Sequence, residues 1–566
     1  MKRMDYPFDS VEILKKKKLL KRCLVEQNDL IHKRIAVLSG STVGDIKDVL
    51  EIFLLNYGIK PQFYVGQYNR YFENIMFDNQ ELADFKPELI YIHTSIRNLS
   101  DTNLSEKLEA VWAKIKKQFS CPVIQNNFEL PFHASYTNCR EINSLNIQIA
   151  DYAKQNKDFY VNDIQHLSAC FGLEKWFSEQ DYFLYKYAFS VSAIPILCHN
   201  IAVIIKSIYG KNQKCLVLDL DNTLWGGVVG DVGVTGIEVG AGTVLGEAYI
   251  TFQKYLKILH SKGIILAVCS KNEEHTAREA FSNPNMVLRL EDIAVFCANW
   301  NHKAENLIDI ARRLNILPES IVFIDDNPAE RELVRQALPD VKVPEVSSVL
   351  DFIRYIEGAG YFYVTNMSGD DAKRNEYYTA NAKRNEAKNT FVDYGEYLRS
   401  LQMTSEIRSF DTAYLDRITQ LINKTNQFNL TTKRYNQSEL ESIAADSRYV
   451  ALYATLDDKF GSNGIVSALI GEMLGNVLHI RLWVMSCRVF KRDLELAVFD
   501  RLVEICLSEK VNKVCGYYFK TDKNGYVANL LDEMGFIKVA DNTWELNLSA
   551  EYSLKNKYIG ITKGDE

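Results

Sequence analysis

Four short segments carry residue types that can do chemistry together: Asp219-Leu-Asp221-Asn-Thr223, Ser270, Lys303 and Asp325-Asp326. All but Lys303 stand at or just beyond the end of an apolar run that reads as a strand: CLVLDLD, GIILAVCSKN and IVFIDDN. Lys303 opens a helical pattern with Leu307, Ile310, Ala311 and Leu314 at helical spacing. In an open α/β sheet the carboxyl ends of the strands are where ligands bind, so the four segments converge on one pocket. Carboxylates gathered there raise one another's pKa. A hard cation such as Mg²⁺ removes that penalty and attracts a phosphate. An Asp can then attack phosphorus, and a second carboxylate can move the proton. A Ser hydroxyl and a Lys ammonium can hold the equatorial oxygens. The pattern predicts Mg²⁺-dependent phosphoryl transfer. A signalling receiver domain uses similar parts in another order, with its acidic pair first and its phospho-accepting Asp later. Here the D-x-D-x-T leads and the acidic pair comes last.

The elements that position these residues leave little room for anything else. Asp221 and Ser270 are 270 − 221 = 49 residues apart, most of them used by one helix and one strand. That helix has Ala248, Phe252, Tyr255, Leu256 and Leu259 on one face and Gly263 as its terminator. Ser270 and Lys303 are 303 − 270 = 33 residues apart. Neither gap holds a folded lid. Only a small flap fits, assigned to WGGVVGDVGV with its four Gly. A site without a lid stays open to a large partner, whereas enclosure serves a small metabolite. Asn272 is expected to cap a helix with Glu273 and Glu274 in its first turn.

The chain of 566 residues is long enough for three to four domains. Its net charge of −7 excludes a globally basic nucleic-acid binder. By eye no apolar run reaches the roughly 18–20 residues of a membrane span, and MKRMDYPFDSVEILKKKKLLKR lacks the apolar core of a signal peptide. Eleven Cys without a C-x-x-C pair suit reduced thiols in a cytoplasm. The expected localisation is therefore cytoplasmic, with neither a nucleic acid nor a membrane as partner.

Four regions are read along the chain. Residues 33–210 alternate strands (RIAVLSG, PELIYI, PVIQN, FYVND) with helices, as an α/β domain with a mostly parallel sheet does. Residues 211–365 hold the phosphoryl-transfer residues. Residues 366–404 are a polar helical linker carrying AKRNE twice and reading as exposed. Residues 405–548 are α+β.

The order of motifs in the second region resembles the haloacid dehalogenase-like (HAD) phosphatases. By that resemblance Asp219 is the nucleophile and Asp221 the general acid/base. Thr223, Ser270, Lys271 and Lys303 bind phosphate, and Asp219, Asp221, Asp325 and Asp326 hold the metal. LDLDNTLWGGVVGDVG, LAVCSKN, NHKAENL and FIDDNPAERELVRQALP are more closely similar to the FkbH-like family. That resemblance implies transfer of a glyceryl or similar three-carbon unit from 1,3-bisphosphoglycerate, with loss of phosphate, to the phosphopantetheine arm of an acyl carrier protein. A Mg²⁺-dependent phosphatase of a small phosphoester, for example in surface-sugar metabolism, is the alternative. Cys269, beside Ser270, is a candidate acyl acceptor or a small core residue, since strand neighbours face opposite ways; Cys487 is the next thiol to consider. The last region resembles the GNAT acyltransferase fold, but Arg488-Val-Phe-Lys491-Arg-Asp493 carries side chains at both Gly positions of that family's phosphate loop. The first region distantly resembles SGNH hydrolases through Asp163-Ile-Gln-His166, with Ser41 or Thr42 at the nucleophile position. The expected fold is multidomain α/β: an SGNH-like N-terminal domain, a HAD-like Rossmannoid core with a minimal cap, and a GNAT-like α+β domain.

Overall fold

The computed structural model describes residues 4–26, 30–77, 79–99, 104–133, 136–363, 377, 380, 381, 384, 387, 388, 391–549 and 552–562. They form two compact units, Met1–Lys211 with Asn436–Glu439, and Asn212–Tyr435 with Leu440–Glu566.

The first unit is built on a five-stranded parallel sheet in the order β2-β1-β3-β4-β5. The strands are β1 (Ile31–Ser39), β2 (Ile59–Val65), β3 (Leu89–His93), β4 (Val123–Asn126) and β5 (Phe159–Asn162). Four of them match the apolar runs of the sequence. β2, IKPQFYV, does not stand out: Pro61 interrupts it and half of it is solvated. An edge strand tolerates both features. One helix here, within Val191–Ile208, is long and apolar enough to cross a membrane, contrary to the expectation that no run qualifies. It is 72% buried, and Leu197, Ile201 and Ile205 share a core with Val49, Leu50 and Phe53 of the neighbouring helix.

The second unit holds a four-stranded parallel sheet in the order β8-β7-β6-β9, made of β6 (Cys215–Leu218), β7 (Ile265–Ser270), β8 (Ile293–Ala298) and β9 (Ile321–Ile324). β6, β7 and β9 are buried throughout, as strands covered on both faces are, hence their unbroken apolar runs. The register pairs Leu218 with Val268 on one side and with Ile324 on the other. The helix Val244–Ser261 is capped by the Thr243 hydroxyl, which accepts from Gly246 N at 3.0 Å, and buries Phe252, Leu256 and Leu259. Gly263, at φ 78°, ends it as expected.

The same unit carries a nine-stranded mixed sheet. Its centre is β12 (Tyr449–Asp458), β13 (Gly461–Leu474), β14 (Val477–Met485) and β15 (Lys513–Tyr517), joined by β10 (Met403–Ser405), β11 (Ile407–Ser409), β16 (Ile537–Ala540), β17 (Thr543–Asn547) and β18 (Ile559–Ile561). β14 and β15 run parallel but pair only from Val477–Lys513 to His479–Cys515. Beyond that the segment 428–430 enters between them. Asn429 bridges to Val484, Leu430 N donates to the Trp483 carbonyl at 3.3 Å, and Phe519 N donates to the Leu430 carbonyl at 2.9 Å. The first AKRNE copy, 372–376, lies outside the described residues. In the second, Arg384 is 1% exposed and donates twice to the Asp458 carboxylate, at 2.7 and 2.8 Å. The expectation of a wholly solvated helix is corrected there: a bidentate ion pair holds Arg384 inside.

Candidate active site

The register of β6 against β9 sets the site. Because Leu218 faces Ile324, the next residues, Asp219 and Asp325, leave the sheet side by side. Asp219, Asp325 and Asp326 bring carboxylate oxygens within 4.8 Å of one another. Lys303, first residue of the helix Lys303–Leu314, reaches between two of them, its Nζ 2.9 Å from Asp219 Oδ1 and 2.5 Å from Asp325 Oδ2. Ser270, at the tip of β7, is 1% exposed. The four segments named from the sequence therefore do converge.

Burial pushes the Asp219 carboxyl up, against the pull of the Lys303 ammonium. Asp326 is also raised, by burial first and by the Asp325 charge second. Lys303 is held above its ordinary value because its two carboxylate neighbours outweigh its own burial. This donor set fits one hard cation: three carboxylates, oxygen ligands only, with too little positive charge nearby to neutralise them.

Asp221 departs from expectation. Its carboxylate is not one of the three converging groups. Oδ1 accepts from the Trp225 indole at 2.9 Å and from Val229 N at 3.0 Å, and Oδ2 accepts from Asn272 Nδ2 at 2.9 Å. Of the four residues expected at the metal, Asp221 does not bring its carboxylate to the cluster, since three donors aim that side chain elsewhere. Asn272 likewise does not cap the helix Glu274–Glu279, whose N-cap is Glu273. It spends its amide on Asp221 and on Ser270 Oγ, at 3.1 Å.

Val229 opens the helix Val229–Gly236, kinked at Gly233 with φ 68°, and Gly226 bridges Glu238 beyond it. This is the flap expected at WGGVVGDVGV. No folded lid stands between Asp221 and Lys303. Arg331, 4% exposed, donates to the carbonyls of Asp325 and Asp326 at 2.9 and 2.8 Å and braces the acidic loop. Trp225, Asn272 and Arg331 were not read as site residues from the sequence. Only their place within the quoted motifs hinted at a role.

Three further candidates sit differently. Lys271 is partly exposed and pairs with Glu330 at 2.6 Å, and Thr223 is fully buried. Cys269 is also fully buried, among Val217, Ile265 and Leu307. Its thiol lies 3.8 Å from the Lys303 carbonyl, and burial pushes its pKa up. Cys269 as acyl acceptor is corrected: strand alternation turns it into the core while Ser270 takes the pocket side.

The hydrolase-like triad of the first unit does not assemble among the described residues. Asp163 Oδ1 caps its own helix through His166 N at 3.0 Å and accepts from Asn127 Nδ2 at 2.7 Å. The exposed His166 imidazole lies against Cys170, 3.4 Å from Nε2 to Sγ. Ser41 N donates to Ser39 Oγ at 3.0 Å, and Thr42 N to the Lys186 carbonyl. In the second unit, Lys491 and Asp493 adopt φ 62° and 60°. The loop thus keeps the left-handed turns where the resembled pattern has Gly, at roughly 1–2 kcal/mol per residue. Yet Lys491 N is already taken by the Tyr526 hydroxyl at 3.2 Å, and the Asp493 carboxylate stands at the start of Leu494–Ser508. Both features oppose a pyrophosphate there.

No family model and no curated protein matches the sequence. Among solved structures the chain is similar to the N-terminal part of BF1531 from Bacteroides fragilis, described as containing a phosphatase domain and complexed with Mg. The two are 33% identical with TM-score 0.58, over 62% of this chain and 99% of that one. The chain belongs to the same family as that phosphatase-domain protein. Fainter likenesses run to the ribosomal-protein-S18-alanine N-acetyltransferase of Escherichia coli, at 13% identity and TM-score 0.21 over 27% of this chain and 99% of that one. The PaiA N-acetyltransferase of Thermoplasma acidophilum in complex with coenzyme A gives 12% and 0.21, over 26% and 99%.

Proposed function

We propose that this chain is a Mg²⁺-dependent HAD-type phosphotransfer enzyme. Its substrate is a phosphorylated three-carbon acyl donor of the 1,3-bisphosphoglycerate kind: the pantetheine thiol of an acyl carrier protein gives up its proton and bonds the acyl carbon, the acyl phosphate leaves as inorganic phosphate, and the distal phosphate is the one removed at the carboxylate site. One observation carries the phosphotransfer reading: Asp219, Asp325 and Asp326 converge around the Lys303 ammonium at the open end of a parallel sheet. Bound at those three carboxylates, Mg²⁺ supplies positive charge to the phosphoryl oxygens.

The chain's own groups do the rest. Asp219 attacks phosphorus, the bond to the leaving oxygen breaks, and Asp221 gives that oxygen its proton. Asp221 then takes a proton from water, which attacks the aspartyl phosphate and frees Asp219. Lys303 and Ser270 meet the equatorial oxygens. Asn272, Trp225 and Val229 N fix Asp221 in direction.

Two features support a macromolecular acceptor. The pocket has a flap and no lid, and its sheet edge carries exposed apolar side chains. Val228 is 41% and Val232 45% exposed on the flap, and Trp300 is 68% exposed at the end of β8. The test incubates the protein with phosphopantetheinylated carrier, Mg²⁺ and 1,3-bisphosphoglycerate and weighs the carrier by intact mass spectrometry. A donor-dependent gain of one three-carbon unit supports transfer. Phosphate release with the carrier's mass unchanged favours a phosphatase of small phosphoesters. Neither product refutes both readings.

A further inference from the structure

Of the six Trp in the chain, five are at most 6% exposed, whereas Trp300 is 68% exposed. It is nevertheless held at both ends. Its backbone lies in the loop 299–302, which joins β8 to the helix Lys303–Leu314. Asn299 N donates to the Ser270 carbonyl at 3.1 Å. The amides of Asn299 and Asn306 exchange two hydrogen bonds, at 3.2 and 2.9 Å, and Asn299 Oδ1 also accepts from Asn301 N at 3.0 Å. These bonds fix the loop between Ser270 and Lys303, the two side chains that meet the phosphoryl oxygens. The indole is fixed as well, with Nε1 donating to Glu273 Oε1 at 2.8 Å.

That anchor sets where the indole stands. Glu273 directly follows Asn272, whose amide holds Asp221 Oδ2 at 2.9 Å and Ser270 Oγ at 3.1 Å. The indole is therefore pinned to the loop that orients the proton donor. Asp221 protonates the leaving oxygen, so the rest of the leaving group departs on the Asp221 side and passes this loop. The charges there restrict what can lie against it. Glu273 and Glu274 are exposed beside the indole. The Lys and Arg of the same segment are already paired, Lys271 with Glu330 at 2.6 Å and Arg278 with Glu274 at 2.8 Å. A second anionic group on the leaving alcohol would meet like charge. An indole face instead takes an uncharged chain or ring, whose methylenes and planar amides pack on it.

We propose that Trp300 is a specificity-determining residue. Its indole is the wall on which the leaving group lies, and it selects phosphoesters whose alcohol continues as an uncharged chain over those whose alcohol carries a second anionic group. That the chain is the pantetheine thioester of a carrier rests on the acyl-transfer reading; the selection itself does not.

The test measures kcat/KM of the full chain with Mg²⁺ on 3-phosphoglycerate, on its N-acetylcysteamine thioester, which replaces the carboxylate by an uncharged chain, and on p-nitrophenyl phosphate. The parent chain should prefer the thioester to the free acid by about tenfold or more. Trp300→Ala should lower kcat/KM for the thioester about tenfold relative to the free acid, through KM. Trp300→Phe keeps a ring and should retain most of the preference. A second readout needs no turnover. In Asp219→Asn, which cannot attack phosphorus, caesium quenches tryptophan emission through Trp300, because the other five are buried. The thioester should shield that emission more than 3-phosphoglycerate does. Dependence on Trp300 confined to the thioester names the carrier arm as source, and equal dependence for p-nitrophenyl phosphate names uncharged alcohols in general. Either outcome supports the wall even where no carrier gains an acyl unit. Absence of all turnover sinks the phosphotransfer reading, and the shielding alone then decides the wall. The proposal is overturned by equal losses on all three esters, by an unchanged preference in Trp300→Ala, or by emission that both glycerate esters shield alike or not at all.

Discussion

Lys303 Nζ lies 2.9 Å from Asp219 Oδ1, in a pair of which 5% and 8% of the side chains are exposed. A buried charge whose partner is removed is worse placed than one never buried, by about 3–5 kcal/mol. Lys303→Met leaves Asp219, Asp325 and Asp326 facing one another. Its melting temperature in chelator should fall well below that of the parent chain, and Mg²⁺ should recover more of the loss than it adds to the parent. Phosphate release should drop about 10²–10³-fold, as when a preorganised charge is deleted. Equal Mg²⁺ stabilisation of the two proteins would refute the shared site.

Asp219→Asn keeps the shape of the nucleophile and removes the charge that attacks phosphorus. Turnover of p-nitrophenyl phosphate should fall by about 10³-fold or more while circular dichroism stays that of the parent. Turnover within tenfold of the parent would show that another group attacks.

Asp326→Ala removes one of the three converging carboxylates and should raise the Mg²⁺ concentration for half-maximal activity by about tenfold or more. Chelator should abolish activity and added Mg²⁺ restore it. Activity that persists in excess chelator would end the metal-dependent reading.

Asn272→Ala should lower kcat about tenfold with the Mg²⁺ requirement unchanged, because Asn272 orients Asp221 and touches none of the three clustered carboxylates. A changed Mg²⁺ titration with intact kcat would place Asn272 at the metal instead.

In the first unit, burial raises the Glu129 carboxyl to about 8. An unfolded Glu releases its proton near pH ~4.3. The folded chain therefore keeps a proton that the unfolded chain has lost, and stability falls as pH rises through that window. Glu129→Gln, which has no proton to lose, should lose less in melting temperature between pH 6 and pH 8. The difference is ~2–4 °C for each kcal/mol of linkage. Parallel melting curves for the two proteins would discount the buried acid.

The catalytic edge was legible because three of its segments are fully buried strands with carboxylates or a hydroxyl at their ends, a contrast that survives in one dimension. β2 and β8 were not: the first is interrupted by Pro61 and half solvated, and the second is an edge strand with intermediate positions. Asn272 has the composition of a cap and sits before two Glu, so local pattern and tertiary role conflict, and the tertiary hydrogen bond to Asp221 wins. Cys269 and Ser270 differ only in strand parity, which the sequence contains but which decides nothing until the pocket side of the sheet is known. The loop Arg488–Asp493 shows the reverse limit. Its residues break the resembled pattern, yet the backbone keeps that pattern's turns at Lys491 and Asp493.

The pairing of Leu218 with Ile324 also bears on how the chain matures. More than a hundred residues separate β6 from β9 in sequence, so their contact is non-local and closes late. Closing it delivers Asp219 against Asp325, which makes like-charge repulsion part of the barrier to forming this sheet. Lys303 relieves it only once its helix has docked. A chain refolding without divalent cation should therefore complete this sheet more slowly than one refolding with Mg²⁺, a difference that stopped-flow refolding in chelator would read.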